Sequence, residues 1–124
     1  MKLRCWICGT TFVLRQALRL SGFDELIKEL AKREDFVYGG YSAGCCVLSP
    51  TLKGLQTVDD PHDFPYQEIH EPIWEGLGLI DYAFLPHYDS DHPESEDIDK
   101  EVAYCTENKI PFKTVRDGEV SLSE

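Results

Sequence analysis

Apolar and polar positions along the chain switch between two periods, and the switches divide it into strands and helices. Residues 3–8, Leu-Arg-Cys-Trp-Ile-Cys, alternate weakly and stop at Gly9-Thr10-Thr11, which predicts a buried strand running into the start of a helix. From Thr11 onward Phe12, Leu14, Leu18 and Leu20 recur near helical spacing, and Ser21-Gly22 closes that helix. Phe23-Asp24-Glu25 opens a second helix, with Leu26, Ile27, Leu30 and Ala31 as its apolar face and Lys28, Glu29, Lys32, Arg33 and Glu34 toward water. Phe36-Val37-Tyr38 is a short β-favouring run, ended by Gly39-Gly40 before another apolar run begins at Ala43.

Between Ser49 and Gly78 the periodicity breaks into Pro, Gly, His and acidic residues, a long irregular connection of the kind that tends to be functional. Residues 79–85 resume as a strand that ends in Pro86-His87-Tyr88, and an acidic loop over 89–97 follows. Ile98, Val102, Ala103 and Cys105 predict a helix closing near Asn108. Residues 111–115 and 119–122 flank Asp117-Gly118, which predicts a hairpin turn at a sheet edge. Strands alternating with helices imply an α/β fold: a parallel sheet covered by helices, with functional groups at the carboxyl edge. A chain of 124 residues makes one domain, residues 1–124.

Chemistry enters at Gly40-Tyr41-Ser42-Ala43-Gly44. A Gly-x-Ser-x-Gly turn between strand and helix lifts a serine hydroxyl over the first helical turn, and small neighbours let the two elements approach closely. The same pentapeptide also serves as an ordinary strand-to-helix turn. A hydroxyl becomes nucleophilic only when a base takes its proton, and histidine is the usual base. Of His62, His70, His87 and His92, only His87 directly follows an expected strand, which places it on the same sheet edge as Ser42. A carboxylate should orient that imidazole, and Asp59 and Asp60 lie in the irregular segment between the two, where solvated acidic residues are also common.

Charge narrows the partners. Twelve basic against 23 acidic residues leave a net charge of −11, which repels phosphate backbones and argues against nucleic acid. No apolar run approaches the roughly 20 residues of a membrane span, and no signal peptide is evident, so a cytoplasmic location is expected. The five cysteines are odd in number and lack scaffold spacing, which fits a reducing compartment. Cys5-Trp-Ile-Cys8 reads as strand cysteines before a redox pair or half a metal site, and Cys45 and Cys46 as helix packing before a thiol nucleophile.

Five ordered motifs carry a resemblance over nearly the whole chain. Gly40-Tyr41-Ser42-Ala43-Gly44, Pro50-Thr51, Thr57-Val58-Asp59-Asp60-Pro61, Gly76-Leu77-Gly78-Leu79 and Leu85-Pro86-His87 resemble those of the dipeptidase E and cyanophycinase group, peptidase family S51. Upstream, Cys8-Gly9-Thr10-Thr11-Phe12 is similar to that family's Gly-Gly-Asn-Thr-Phe segment. The resemblance implies a flavodoxin-like sheet related to class I glutamine amidotransferases, with helices on both faces. It implies a serine exopeptidase acting on dipeptides or short peptides through an acyl-enzyme, with no cofactor and no metal. Ser42 would be the nucleophile, His87 the base, Asp59 the acid with Asp60 as runner-up, and the amides of Gly9 and Ala43 the oxyanion hole. Thr10 stands where the family has Asn and Cys8 where it has Gly. Residues 91–97 lack the arginine that aspartyl dipeptidases carry there, so aspartyl specificity is not carried over. Relatives also have strands and helices before the first motif, so the chain reads as N-terminally shortened. That leads to an expected homodimer through the edge at residues 3–8, or alternatively to an inactive relative serving as an interaction or structural module.

Overall fold

Two parallel strand pairs fed by helices make up the architecture; the structure, a computed structural model, describes the backbone of residues 2–4 and residues 10–122. In chain order the elements are β1 (Lys2–Arg4), α1 (Thr11–Ser21), α2 (Phe23–Leu30), β2 (Val37–Gly39), α3 (Ala43–Cys46), a 3-10 turn at Leu55–Thr57, β3 (Ala83–Leu85), α4 (Ser95–Glu107) and β4 (Phe112–Thr114). β1 pairs with β2 from Lys2 opposite Val37 to Arg4 opposite Gly39, and β3 pairs with β4 from Ala83 opposite Phe112 to Leu85 opposite Thr114. The rest of the strand expected over residues 3–8, with Cys5, Cys8 and Gly9, lies outside the described residues.

Local chemistry sets the helix ends. Thr10 caps α1, its hydroxyl accepting the Val13 N–H at 3.4 Å, and Asp59 adds a carboxylate oxygen 3.0 Å from the Thr11 N–H. Gly22 closes the helix at φ 75°, a left-handed position that glycine adopts without strain. The inward positions of α1 then split between two apolar clusters. Leu14 and Leu18 pack with Ile27, Ala43, Val47 and Leu77. Phe12 packs with Leu52 and Leu55, its ring edge-on to Trp74 at 5.6 Å. A third cluster, Ala83, Leu85, Ile98 and Cys105, seats α4 against β3.

The apolar face expected on α2 is corrected by a buried ion pair. Ile27 is buried, but Leu26 is 49% exposed. Asp24 turns inward because Arg15 on α1 needs an anion: Nη1 lies 2.9 Å from Asp24 Oδ2, and Nε donates to the Glu75 carbonyl at 2.8 Å. Removing one member of such a pair leaves the other charged and buried. We expect Asp24→Ala to cost about 3–5 kcal/mol, measured as a lower urea midpoint at unchanged slope.

Two strand expectations are also corrected. The strand read over 79–85 shortens to Ala83–Leu85, since the amides of Leu79 and Ile80 bond instead to the Leu48 carbonyl, at 3.0 and 3.3 Å. The hairpin about Asp117-Gly118 does not form. β4 pairs parallel to β3, residues 119–122 make no strand, and Val120 and Leu122 are 84% and 89% exposed. The irregular segment from Ser49 to Gly78 is as expected, pinned where Gly76 passes Ser49. A Cβ there would sit 1.8 Å from the Ser49 carbonyl oxygen, so only glycine fits.

Candidate active site

The carboxyl ends of β2, β3 and β4 each deliver one polar side chain to the same place. After β2 the chain turns sharply through Ser42, held at φ 52° and ψ −116°, a backbone region that L-residues seldom occupy. The turn is tight because strand and helix nearly touch: a Cβ on Gly40 would lie 2.8 Å from the Gly44 carbonyl oxygen, which also accepts the Tyr38 hydroxyl at 2.6 Å. After β3 comes His87, buried and itself at φ 63°. Its Nε2 is 3.2 Å from Ser42 Oγ and its Nδ1 is 2.6 Å from Asp117 Oδ1. An ionised carboxylate only accepts, so Nδ1 carries the hydrogen and Nε2 is free to accept from the serine hydroxyl.

The structure therefore brings together Ser42 and His87 as expected from their positions and supplies a different carboxylate. Asp59 does not reach the imidazole; one of its oxygens takes the Thr11 N–H instead. Burial raises its pKa, and Glu94 adds to the effect. Asp60 is exposed and accepts the His62 N–H at 2.8 Å. Asp117 stands in their place because the Asp-Gly turn after β4 faces His87 rather than returning as a hairpin. Its backbone is tied down as well: the Asp117 N–H donates to Ser90 Oγ at 2.8 Å, and that hydroxyl donates to the Tyr88 carbonyl at 2.8 Å. The signal for Asp117 in the sequence is its place just beyond a strand, as Ser42 follows β2 and His87 follows β3. Ala43, the first residue of α3, directly follows the serine and is buried. Gly9 lies outside the described residues.

A cleft of about 210 Å³ opens over the serine, lined among others by Tyr41, Ser42, Cys45, His87, Arg116 and Asp117. A second, much smaller cavity, about the size of one water, lies behind Ser42 between Thr11, Asp59 and Glu94. Cys45 and Cys46 do not fit a thiol nucleophile. Burial pushes the Cys45 thiol up to about 11 and raises Cys46 well above the ordinary value, so neither offers a thiolate near neutral pH.

His62 and His70 are exposed and neither lines the cleft over Ser42, while His92 lies face-on against His87, ring centres 3.6 Å apart and planes 5° from parallel. Donor atoms of His87, His92 and Glu94 come within 4.8 Å of one another. A metal ion prefers to lie in the plane of each imidazole that binds it. Two stacked, parallel rings share no plane, and His87 already uses both nitrogens, so these residues do not fit an ion in this arrangement. Among the described residues, no helix is long and apolar enough to cross a membrane.

The family model described as peptidase family S51 matches residues 8–120. An uncharacterized peptidase of Listeria monocytogenes is 35% identical over 83 residues, covering 66% of this chain and 38% of that one. A peptidase E of Streptomyces coelicolor is 30% identical over 115 residues, covering 89% of this chain and 44% of that one. A crystal structure of a protein described as a peptidase E, also from Listeria monocytogenes, superposes with a TM-score of 0.70 at 28% identity. It covers 94% of this chain and 50% of the other. The chain thus spans about half or less of the length of each of these relatives.

Proposed function

Because the chain belongs to peptidase family S51, we propose that it is a serine exopeptidase hydrolysing dipeptides or short peptides, with Ser42, His87 and Asp117 as its catalytic triad. The observation that carries this reading is the unbroken relay from Ser42 Oγ through both nitrogens of His87 to Asp117, at 3.2 and 2.6 Å. The bend at Ser42 acts as a nucleophile elbow. Residues 1–124 are in this reading one flavodoxin-like α/β domain; the meeting of Ser42 and His87 just beyond β2 and β3 supports that.

The chemistry follows from the donors and acceptors. Ser42 Oγ attacks the scissile carbonyl while its proton passes to His87 Nε2. The Asp117 carboxylate accepts from Nδ1–H, holds the tautomer and offsets the imidazolium charge. The carbonyl oxygen becomes an oxyanion beside the Ala43 amide, which as a first-turn N–H has no intrahelical acceptor; Gly9 supplies the second amide in this scheme. His87 then gives its proton to the leaving amine, and a water it activates hydrolyses the ester on Ser42. The cleft is small beside the roughly 300–1,000 Å³ of drug-sized pockets, which suits a short peptide. No observation among the described residues favours the inactive, purely structural alternative.

A fluorophosphonate should label Ser42 stoichiometrically, and Ser42→Ala should abolish both labelling and hydrolysis across a panel of dipeptides and aminoacyl amides. Hydrolysis that persists unchanged in Ser42→Ala overturns the proposal.

A further inference from the structure

We propose that His92 is a positioning residue of this site: its ring, laid flat on the His87 imidazole, fixes the plane of that imidazole and thereby the aim of Nε2 at Ser42. The inference rests on the serine-peptidase reading above and goes beyond it, since a Ser-His-Asp relay does not by itself require a second histidine.

The need for such a brace lies in the geometry of the relay. Hydrogen bonds at Nδ1 and Nε2 fix the line joining the two nitrogens but resist rotation of the ring about that line only weakly. The His87 backbone does not settle the matter either, because φ 63° at His87 and φ 44° at Asp89 mark a strained bend. A flat group in contact with the ring face opposes that rotation, and His92 is such a group, at 3.6 Å and 5°. Tyr41 adds an edge-on contact with ring centres 6.2 Å apart.

His92 can brace another ring because it is itself held. Its Nδ1 accepts the Glu94 N–H at 3.2 Å, which leaves the hydrogen of the neutral ring on Nε2. Its backbone N–H donates to the Ser90 carbonyl at 2.9 Å and its carbonyl accepts the Ser95 N–H at 3.1 Å. Ser95 begins α4, whose Ile98 packs on β3, the strand that carries His87. The same loop holds Asp117 through Ser90. One short segment therefore sets the base from its face and the acid from its backbone. A neutral ring under His87 also favours the imidazolium formed during attack, through its π face.

The test compares two replacements of similar bulk: His92→Phe keeps a flat face, and His92→Leu fills the space without one. The readout is phosphonylation of Ser42 by a fluorophosphonate, in which an Oγ–P bond forms, P–F breaks as fluoride and the serine proton passes to His87. Limiting rate (kinact) and half-saturating concentration (KI) are measured on folded protein. A misplacement of the base slows the reaction without weakening binding, and displacements of about 1 Å can cost on the order of 100-fold. His92→Leu should lower kinact by roughly 10- to 100-fold with KI nearly unchanged, and His92→Phe should stay within about fivefold of the wild type. Equal rates in the Leu and Phe variants, whether both fast or both slow, overturn the inference while wild-type labelling leaves the peptidase reading standing. An unreactive wild-type Ser42 overturns the peptidase reading itself, and this inference with it.

Discussion

Asp117→Asn should lower kcat on any hydrolysed peptide by about a thousandfold, with Ser42 and His87 both still present. An asparagine in that place keeps roughly the same shape but removes the charge that offsets the imidazolium. It also offers an N–H₂ group that favours the wrong tautomer of His87, with the hydrogen on Nε2 facing the serine. In a protease whose triad aspartate is buried, the equivalent change costs about 10⁴-fold. The Asp117 side chain is 41% exposed, so water screens part of its field and the loss should fall toward the lower end. Asp60→Asn is the matched control. Its carboxylate is exposed and bonded to the His62 amide, away from the imidazole, so kcat should stay within about twofold. A loss at Asp60 as deep as that at Asp117, or no loss at Asp117, would remove Asp117 from the proposed triad.

The second large effect concerns stability and pH. Glu101 sits on α4 among Gly54, Cys46 and Cys105, 3% exposed, with no hydrogen-bond partner for Oε2 among the described residues. Burial, helped by the nearby Asp59 charge, raises its pKa from 4.5 to about 8. The folded protein thus holds this proton more tightly than the unfolded chain does. The stability that proton contributes is complete below pH 4.5 and is lost as pH rises through about 8. At 1.36 kcal/mol per pKa unit the full loss is on the order of 4–5 kcal/mol, an upper bound because Asp59 shares the site. Against the roughly 5–15 kcal/mol of a typical domain, that is a large fraction. Urea unfolding from pH 5 to pH 9 should show wild-type stability falling over this window, and Glu101→Gln, which keeps the shape without the titration, should flatten the slope. Parallel curves for the two proteins would mean that Glu101 ionises in the folded state as it does in the unfolded one.

Much of the site could be read from residue order alone. Gly40, Ala43 and Gly44 around Ser42 marked a place where strand and helix approach closely, and the approach is there, 2.8 Å from a Gly40 Cβ to the Gly44 carbonyl oxygen. His87 was distinguishable from His62, His70 and His92 because it alone directly follows an expected strand. Asp117 was not distinguishable. Asp-Gly between two apolar runs is the strongest short-range hairpin signal, and Gly118 does adopt the turn conformation, at φ 89°. Among the described residues the chain beyond the turn makes no return strand, while β4 pairs with β3, 27 or more residues back across α4, and that pairing aims the turn at His87.

By itself the sequence determined the local events: where α1 starts and stops, where Gly40 lets strand and helix approach, and which serine stands at a sharp bend. These depend on residues a few positions apart, through caps, Cβ sterics and turn preferences. Tertiary structure alone decided which carboxylate meets the imidazole, that His92 stacks on His87, and that Asp24 faces inward to Arg15. Each of these joins separate elements or a loop to a strand end, and such contacts follow from how the helices and parallel strands pack, which no local pattern of side chains encodes.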